Sequence, residues 1–185
     1  AGSGELDGGR FPENAEGYVA WIGNSPWTAD GTHVAYHVSW RVSGTGRRES
    51  RVMDLRTGEE IGLDGQFVAW SPDGSRLLYA TYPDPETQGA EARPVASVGD
   101  FFVANRDGGG SEWIGRGYGA AWAPDSERIA LVDSEGSLQV LNTETGVRST
   151  VLDGDDLSDA TGLALPASPD YGTPPSTLAW SPDGE

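Results

Sequence analysis

One short pattern occurs four times in the chain: Trp27-Thr28-Ala29-Asp30-Gly31, Trp70-Ser71-Pro72-Asp73-Gly74, Trp122-Ala123-Pro124-Asp125-Ser126 and Trp180-Ser181-Pro182-Asp183-Gly184. The tryptophans stand 43, 52 and 58 positions apart. A repeat of this length means that each copy is one supersecondary unit, burying its apolar face against the next copy. The local logic is shared. Apolar residues lead in, as in Phe67-Val68-Ala69-Trp70, and predict a buried strand ending on a large aromatic. Pro second in the turn presets φ near about −65°, Asp follows, and Gly fourth supplies a permissive φ where the chain reverses. Apolar segments at 33–36, 77–80 and 129–132 come next, so each copy reads as a hairpin. Two copies depart from the pattern. Ala29 replaces Pro and Ser126 replaces Gly, so these turns are expected to be less rigid or slightly strained.

The later half of each unit repeats as well. Third strands are predicted at 51–55, 101–105 and 138–142, each followed by a Gly turn (56–58, 106–109 and 143–146). More polar fourth strands are predicted near 60–62, 111–114 and 148–152. Four antiparallel strands with a buried first and a polar, edge-protected last make a blade. The fold class is therefore all-β: a β-propeller of four-stranded blades, about three complete plus the start of a fourth, forming a partial ring. The units fall at 18–62, 63–115 and 116–152, after a leader over 1–17, with 177–185 as the first strand of a fourth blade. Gly17-Tyr18-Val19-Ala20-Trp21 could lend one further strand. Propellers close with about four to eight blades, so the expectation is a fragment, or a ring completed by another chain.

Ala69-Trp70-Ser71-Pro72-Asp73-Gly74 and Val103-Ala104-Asn105-Arg106-Asp107-Gly108-Gly109-Gly110 resemble the repeat of TolB-type propellers. The same repeat is found in the amino-terminal propellers of prolyl oligopeptidase-like serine peptidases and in many bacterial exported proteins. The resemblance covers residues 20–185 and implies a propeller with an interaction or gating role. The Gly-His and Trp-Asp pairs of WD repeats are absent.

Charge narrows the partners. The formal net charge is −17, and all twelve basic residues are Arg. Such a surface repels phosphate backbones and anionic headgroups, which argues against nucleic acid and membrane surfaces. The acidity fits either a coding bias with a solubility benefit or adaptation to high salt, where self-repulsion is screened. No apolar run approaches the roughly 18 residues of a membrane helix. The 27 Gly and 12 Pro are dispersed, as frequent turns require. The lack of Cys excludes disulfides and thiolate metal sites and suits an extracytoplasmic protein.

Two insertions break the repeat, at 81–99 between the second and third strands of one unit, and at 153–176 before the last copy. Long loops on a compact scaffold are either contact surfaces or solvated excursions. Tyr82 and Arg93 lie in the within-blade insertion and are the candidate binding residues. Catalytic residues, metal and cofactor are not expected. His33 and His37 would lie roughly 13 Å apart on one strand face, too far to share a metal. Asp153, Asp155, Asp156 and Asp159 could hold calcium, but the Gly and closing Glu of an EF-hand loop are missing. Arg47, Arg48 and Arg51 suit pairing with carboxylates, or a small anionic ligand or acidic partner loop. No Gly-x-Ser-x-Gly elbow occurs. The function expected is a non-catalytic, exported scaffold for a protein or peptide; the alternatives are the gating propeller of a prolyl oligopeptidase-like serine peptidase whose catalytic domain lies outside this chain, and an extracytoplasmic sensor domain.

Overall fold

A computed structural model describes residues 16–21, 25–42, 45–82, 98–155 and 178–184. Its strands are β1 (Glu16–Trp21), β2 (His33–Val42), β3 (Thr45–Asp54), β4 (Glu60–Leu63), β5 (Gln66–Trp70), β6 (Arg76–Thr81), β7 (Gly99–Asn105), β8 (Glu112–Trp122), β9 (Arg128–Asp133), β10 (Leu138–Asn142) and β11 (Arg148–Leu152). All pair antiparallel with their sequence neighbours, in a four-stranded sheet β1-β2-β3-β4 and a seven-stranded sheet running from β5 to β11.

The seven-stranded sheet is two blades joined by one strand. The first part of β8 pairs with β7 from Glu112 to Gly117, and the rest pairs with β9 from Gly117 to Trp122. The expected boundary between residues 115 and 116 thus falls inside a strand. Gly117 is the pivot. A Cβ there would lie 2.1 Å from the Val132 carbonyl oxygen, so no other residue fits without moving backbone.

β6 explains why the blades bury residues on both faces. Leu77 and Tyr79 join the cluster formed with Val52, Leu63, Phe67 and Trp70. Leu78 and Ala80 join the one formed with Phe101, Ile114, Trp122 and Leu131. Successive side chains on a strand point to opposite faces, so one four-residue apolar run fills two inter-blade seams. Outer strand β11 is exposed over most of its length, as the polar pattern predicts.

The first repeat differs from expectation. Trp27 pairs with Val34 through an isolated bridge and lies in no strand, and β1 takes the place beside the far half of β2. Trp27 is 47% exposed whereas Trp70 and Trp122 are each 8% exposed. The reason is coverage: Trp70 and Trp122 lie under a residue of the preceding blade, and among the described residues no earlier blade covers Trp27.

Candidate functional site

The four Trp-led turns share one geometry. The backbone N–H of the fourth turn residue donates to the carbonyl of the first in every copy: Gly31 to Thr28, Gly74 to Ser71, Ser126 to Ala123 and Gly184 to Ser181. Each fourth residue has φ between 63° and 74°. Ser126 is the one non-Gly residue with positive φ among the described residues, so the strain expected there is present. Its hydroxyl has a use, because it accepts a 3.0 Å bond from the Asp73 backbone N–H and ties one blade's turn to the next. The turn aspartates cap the following backbone. Asp30 accepts from Thr32 N–H, Asp73 from Ser75 N–H, and Asp125 from Glu127 and Arg128 N–H. For Asp73 and Asp125 burial raises the carboxyl pKa, but side-chain hydrogen bonds from Ser71 and from Arg128 respectively, together with these backbone bonds, outweigh it, so both are held below the ordinary carboxylate value.

Six residues after each tryptophan stands the residue that covers the next tryptophan. His33 meets Trp70 edge-on at 6.3 Å between ring centroids. Arg76 lies over Trp122 at 5.0 Å and Arg128 over Trp180 at 5.2 Å. Both arginines also donate to the carbonyl of the next turn's fourth residue, Ser126 and Gly184. In return, Trp70 Nε1 donates to Pro26 O at 2.9 Å and Trp180 Nε1 to Ala121 O at 3.0 Å. Trp122 Nε1 is buried with no acceptor among the described residues. The sequence reading missed this latch; the signal was the basic residue at a constant offset of six.

Among the described residues, two of the openings lie between blades. The larger, about 430 Å³, is lined by Leu63 and Asp64 after β4 and by Tyr79, Thr81, Phe102 and Ser111. Tyr79 and Phe102 stack there at 5.2 Å and 15°. The Tyr79 hydroxyl is 2.6 Å from Ser111 Oγ. The smaller, about 190 Å³, lies between the next two blades and is lined by Arg76, Asn105, Glu112, Ile114, Leu141 and Thr143 among others.

The residues singled out in the sequence are scattered among these features. Tyr82 is half-buried, packs against the core cluster and lies over Gly99 at the root of the 81–99 insertion; burial raises its hydroxyl pKa. Arg93 lies outside the described residues. Arg51 is buried with Glu60 at 3.0 Å from Nη1; Glu49 Oε1 is 3.3 Å from Nε, close enough for attraction but not aligned as a hydrogen bond. Tyr36, beside this group, is pushed up to about 12 by burial and by Glu60. The side chains of Arg47 and Arg48, and Asp156 and Asp159, lie outside the described residues. His33 Nδ1 is 2.8 Å from Thr32 Oγ1 and His37 Nδ1 is 2.9 Å from Ser50 Oγ, so each ring has a structural partner. Among the described residues no group of His, Asp and Glu could hold a metal, and no helix is long and apolar enough to cross a membrane.

No protein-family model and no curated protein matches the chain. Solved structures do. The β-propeller domain of the Trilobed protease from Pyrococcus furiosus aligns over 72% of this chain and 42% of that one, at 16% identity and a TM-score of 0.51. An acylaminoacyl peptidase from Pyrococcus horikoshii aligns over 65% and 24%, at 14% identity and 0.46. A putative TolB from Agrobacterium tumefaciens aligns over 75% and 50%, at 16% identity and 0.43. The chain thus spans less than half of the propeller domain from P. furiosus. That likeness establishes the fold: this chain is a β-propeller, and its open sheets fit a partial ring.

Proposed function

We propose that the chain is a non-catalytic, extracytoplasmic propeller scaffold that binds a protein or peptide at the open cleft beside the 81–99 insertion. The observation that carries this reading is the stacked Tyr79–Phe102 pair in an opening of about 430 Å³ that is also lined by Thr81, where that insertion begins. Phe102 is half-buried over the buried Tyr79, and an accessible aromatic face offers large contact area at low entropic cost, which is why such residues anchor interfaces. Tyr82 holds the root of the insertion against the core, and Arg93 lies on the insertion itself. The resemblance of residues 69–74 and 103–110 to the TolB-type repeat, which is found in many bacterial exported proteins, supports the extracytoplasmic assignment. Partners on this reading are proteins or peptides, including a further segment or chain that completes the ring.

Peptide-display selection against the intact chain tests the proposal. Selected peptides should lose at least about tenfold in affinity on Phe102→Ser and on replacement of 83–97 by a short Gly-Ser turn. Peptides that bind both variants as well as the parent would refute it. A second reading, the gating propeller of a serine peptidase, is favoured by the propeller domain of the Trilobed protease; a downstream Gly-x-Ser-x-Gly with Asp and His in the parent reading frame would select it.

A further inference from the structure

The second and third turns differ in how their arginines are paired. In the third, Asp125 Oδ2 accepts from Arg128 Nε at 2.6 Å, so the arginine is ion-paired within its own turn. In the second, Ser75 stands where Glu127 stands in the third. Its hydroxyl donates to Asp73 Oδ2 at 2.8 Å while Ser71 Oγ donates to Oδ1 at 2.6 Å. Asp73 accepts these bonds and none from Arg76, on which it acts only at longer range, and no carboxylate lies within ion-pair distance of Arg76 among the described residues. Thr143 Oγ1 and Ser126 O take two of its five N–H groups. The cation lines the cavity of about 190 Å³ between two blades. In a chain of net charge −17, Arg76, Arg116 and Arg148 make no ion pair among the described residues, and of these three it is Arg76 that lines this cavity.

We propose that this cavity is a carboxylate site, with Arg76 binding the carboxylate of an aliphatic group whose apolar stem packs on Val103, Ile114 and Leu141. Guanidinium N–H groups recognise carboxylates strongly and directionally. The apolar wall supplies the stem contacts, and the volume suits a side chain rather than a loop. Glu112 also lines the cavity, which disfavours a doubly charged phosphate and selects a singly charged group. Both an aliphatic chain end and a free aliphatic acid carry this chemistry. The site is separate from the Tyr79–Phe102 cleft, so either can fail alone.

Calorimetric titration of the intact chain with N-acetylleucine, N-acetylleucinamide, isovalerate and inorganic phosphate tests it. N-acetylleucine should saturate one site, and the amide should bind at least about tenfold more weakly. Isovalerate as tight as N-acetylleucine assigns a free acid; weaker binding assigns a chain end. Arg76→Gln should abolish binding. Because Arg76 also latches two blades, Ser75→Ala is the second variant: it frees Asp73 to pair with Arg76 and should weaken the acid toward the amide without touching the cavity wall. Glu127→Ser, in the third turn, should leave binding unchanged. Equal affinity for acid and amide, absence of binding by both acids at millimolar concentration, tighter binding of phosphate, or an unaltered affinity in Ser75→Ala would each overturn the proposal.

Discussion

The second and third turns build the same seam around different electrostatics. Arg76 and Arg128 both lie over the next tryptophan and both donate to the next turn's last carbonyl. Arg128 is ion-paired with Asp125, while Asp73 accepts from Ser71 and Ser75 and makes no ion pair with Arg76. Packing geometry is thus conserved along the chain while charge is free to vary. The first seam extends the point: His33 takes the same offset and meets Trp70 edge-on. What the position requires is a flat group over an indole, with cationic charge an addition that suits the negative face of the ring.

The largest test of this contrast is deletion of a covered indole. Trp122→Ala should cost about 3–5 kcal/mol in denaturant unfolding, since it empties the center of one core cluster. The same change at exposed Trp27 should cost much less, and equal costs would show that coverage is not the source. Next comes acid. Asp73 and Asp125 are held low, and Asp54 is held at about 2 by hydrogen bonds from Arg56, the largest contribution, against burial. Depressed carboxyl groups contribute stability above their unfolded value near about 4, lost as pH falls through the folded one. A melting temperature flat from pH 6 to 5 and falling steadily between about pH 4 and 2 is therefore expected. Smaller is the effect at Ser126. Alanine keeps the unfavourable φ of 63° but loses the bond to Asp73, whereas glycine loses the bond and relieves the backbone. Ser126→Ala should fall below Ser126→Gly by about 1 kcal/mol, and the reverse order would deny the strain. Smallest is Ser75→Ala, within about 0.5 kcal/mol of the parent, with the second seam gaining the salt sensitivity of the third.

Much of this architecture was legible in the sequence because turn chemistry is local. Trp, Pro, Asp and Gly at fixed offsets specify a reversal whatever surrounds them, and all four appear as expected. The fourth and first strands around residues 111–122 were read as two elements. Gly115, Gly117 and Gly119 look like a break, and only the close approach of Val132 to Gly117 reveals why one continuous strand needs them. The exposure of Trp27 was not legible, since burial of a repeat tryptophan comes from another repeat. Neither were the clefts, whose walls combine β4 with β6 and β7, or β7 and β8 with β10. Tyr82 could be found as an aromatic in an insertion, but its packing against the core depends on Gly99, seventeen residues further on.

A double-mutant cycle on Arg76 and Trp122 tests the latch most directly, using Arg76→Met and Trp122→Leu with stability read from denaturant unfolding. A coupling of about 0.5–2 kcal/mol favouring the native pair is predicted. Additive effects, with no coupling between the two positions, would contradict the claim that each blade is fastened to the next through this contact.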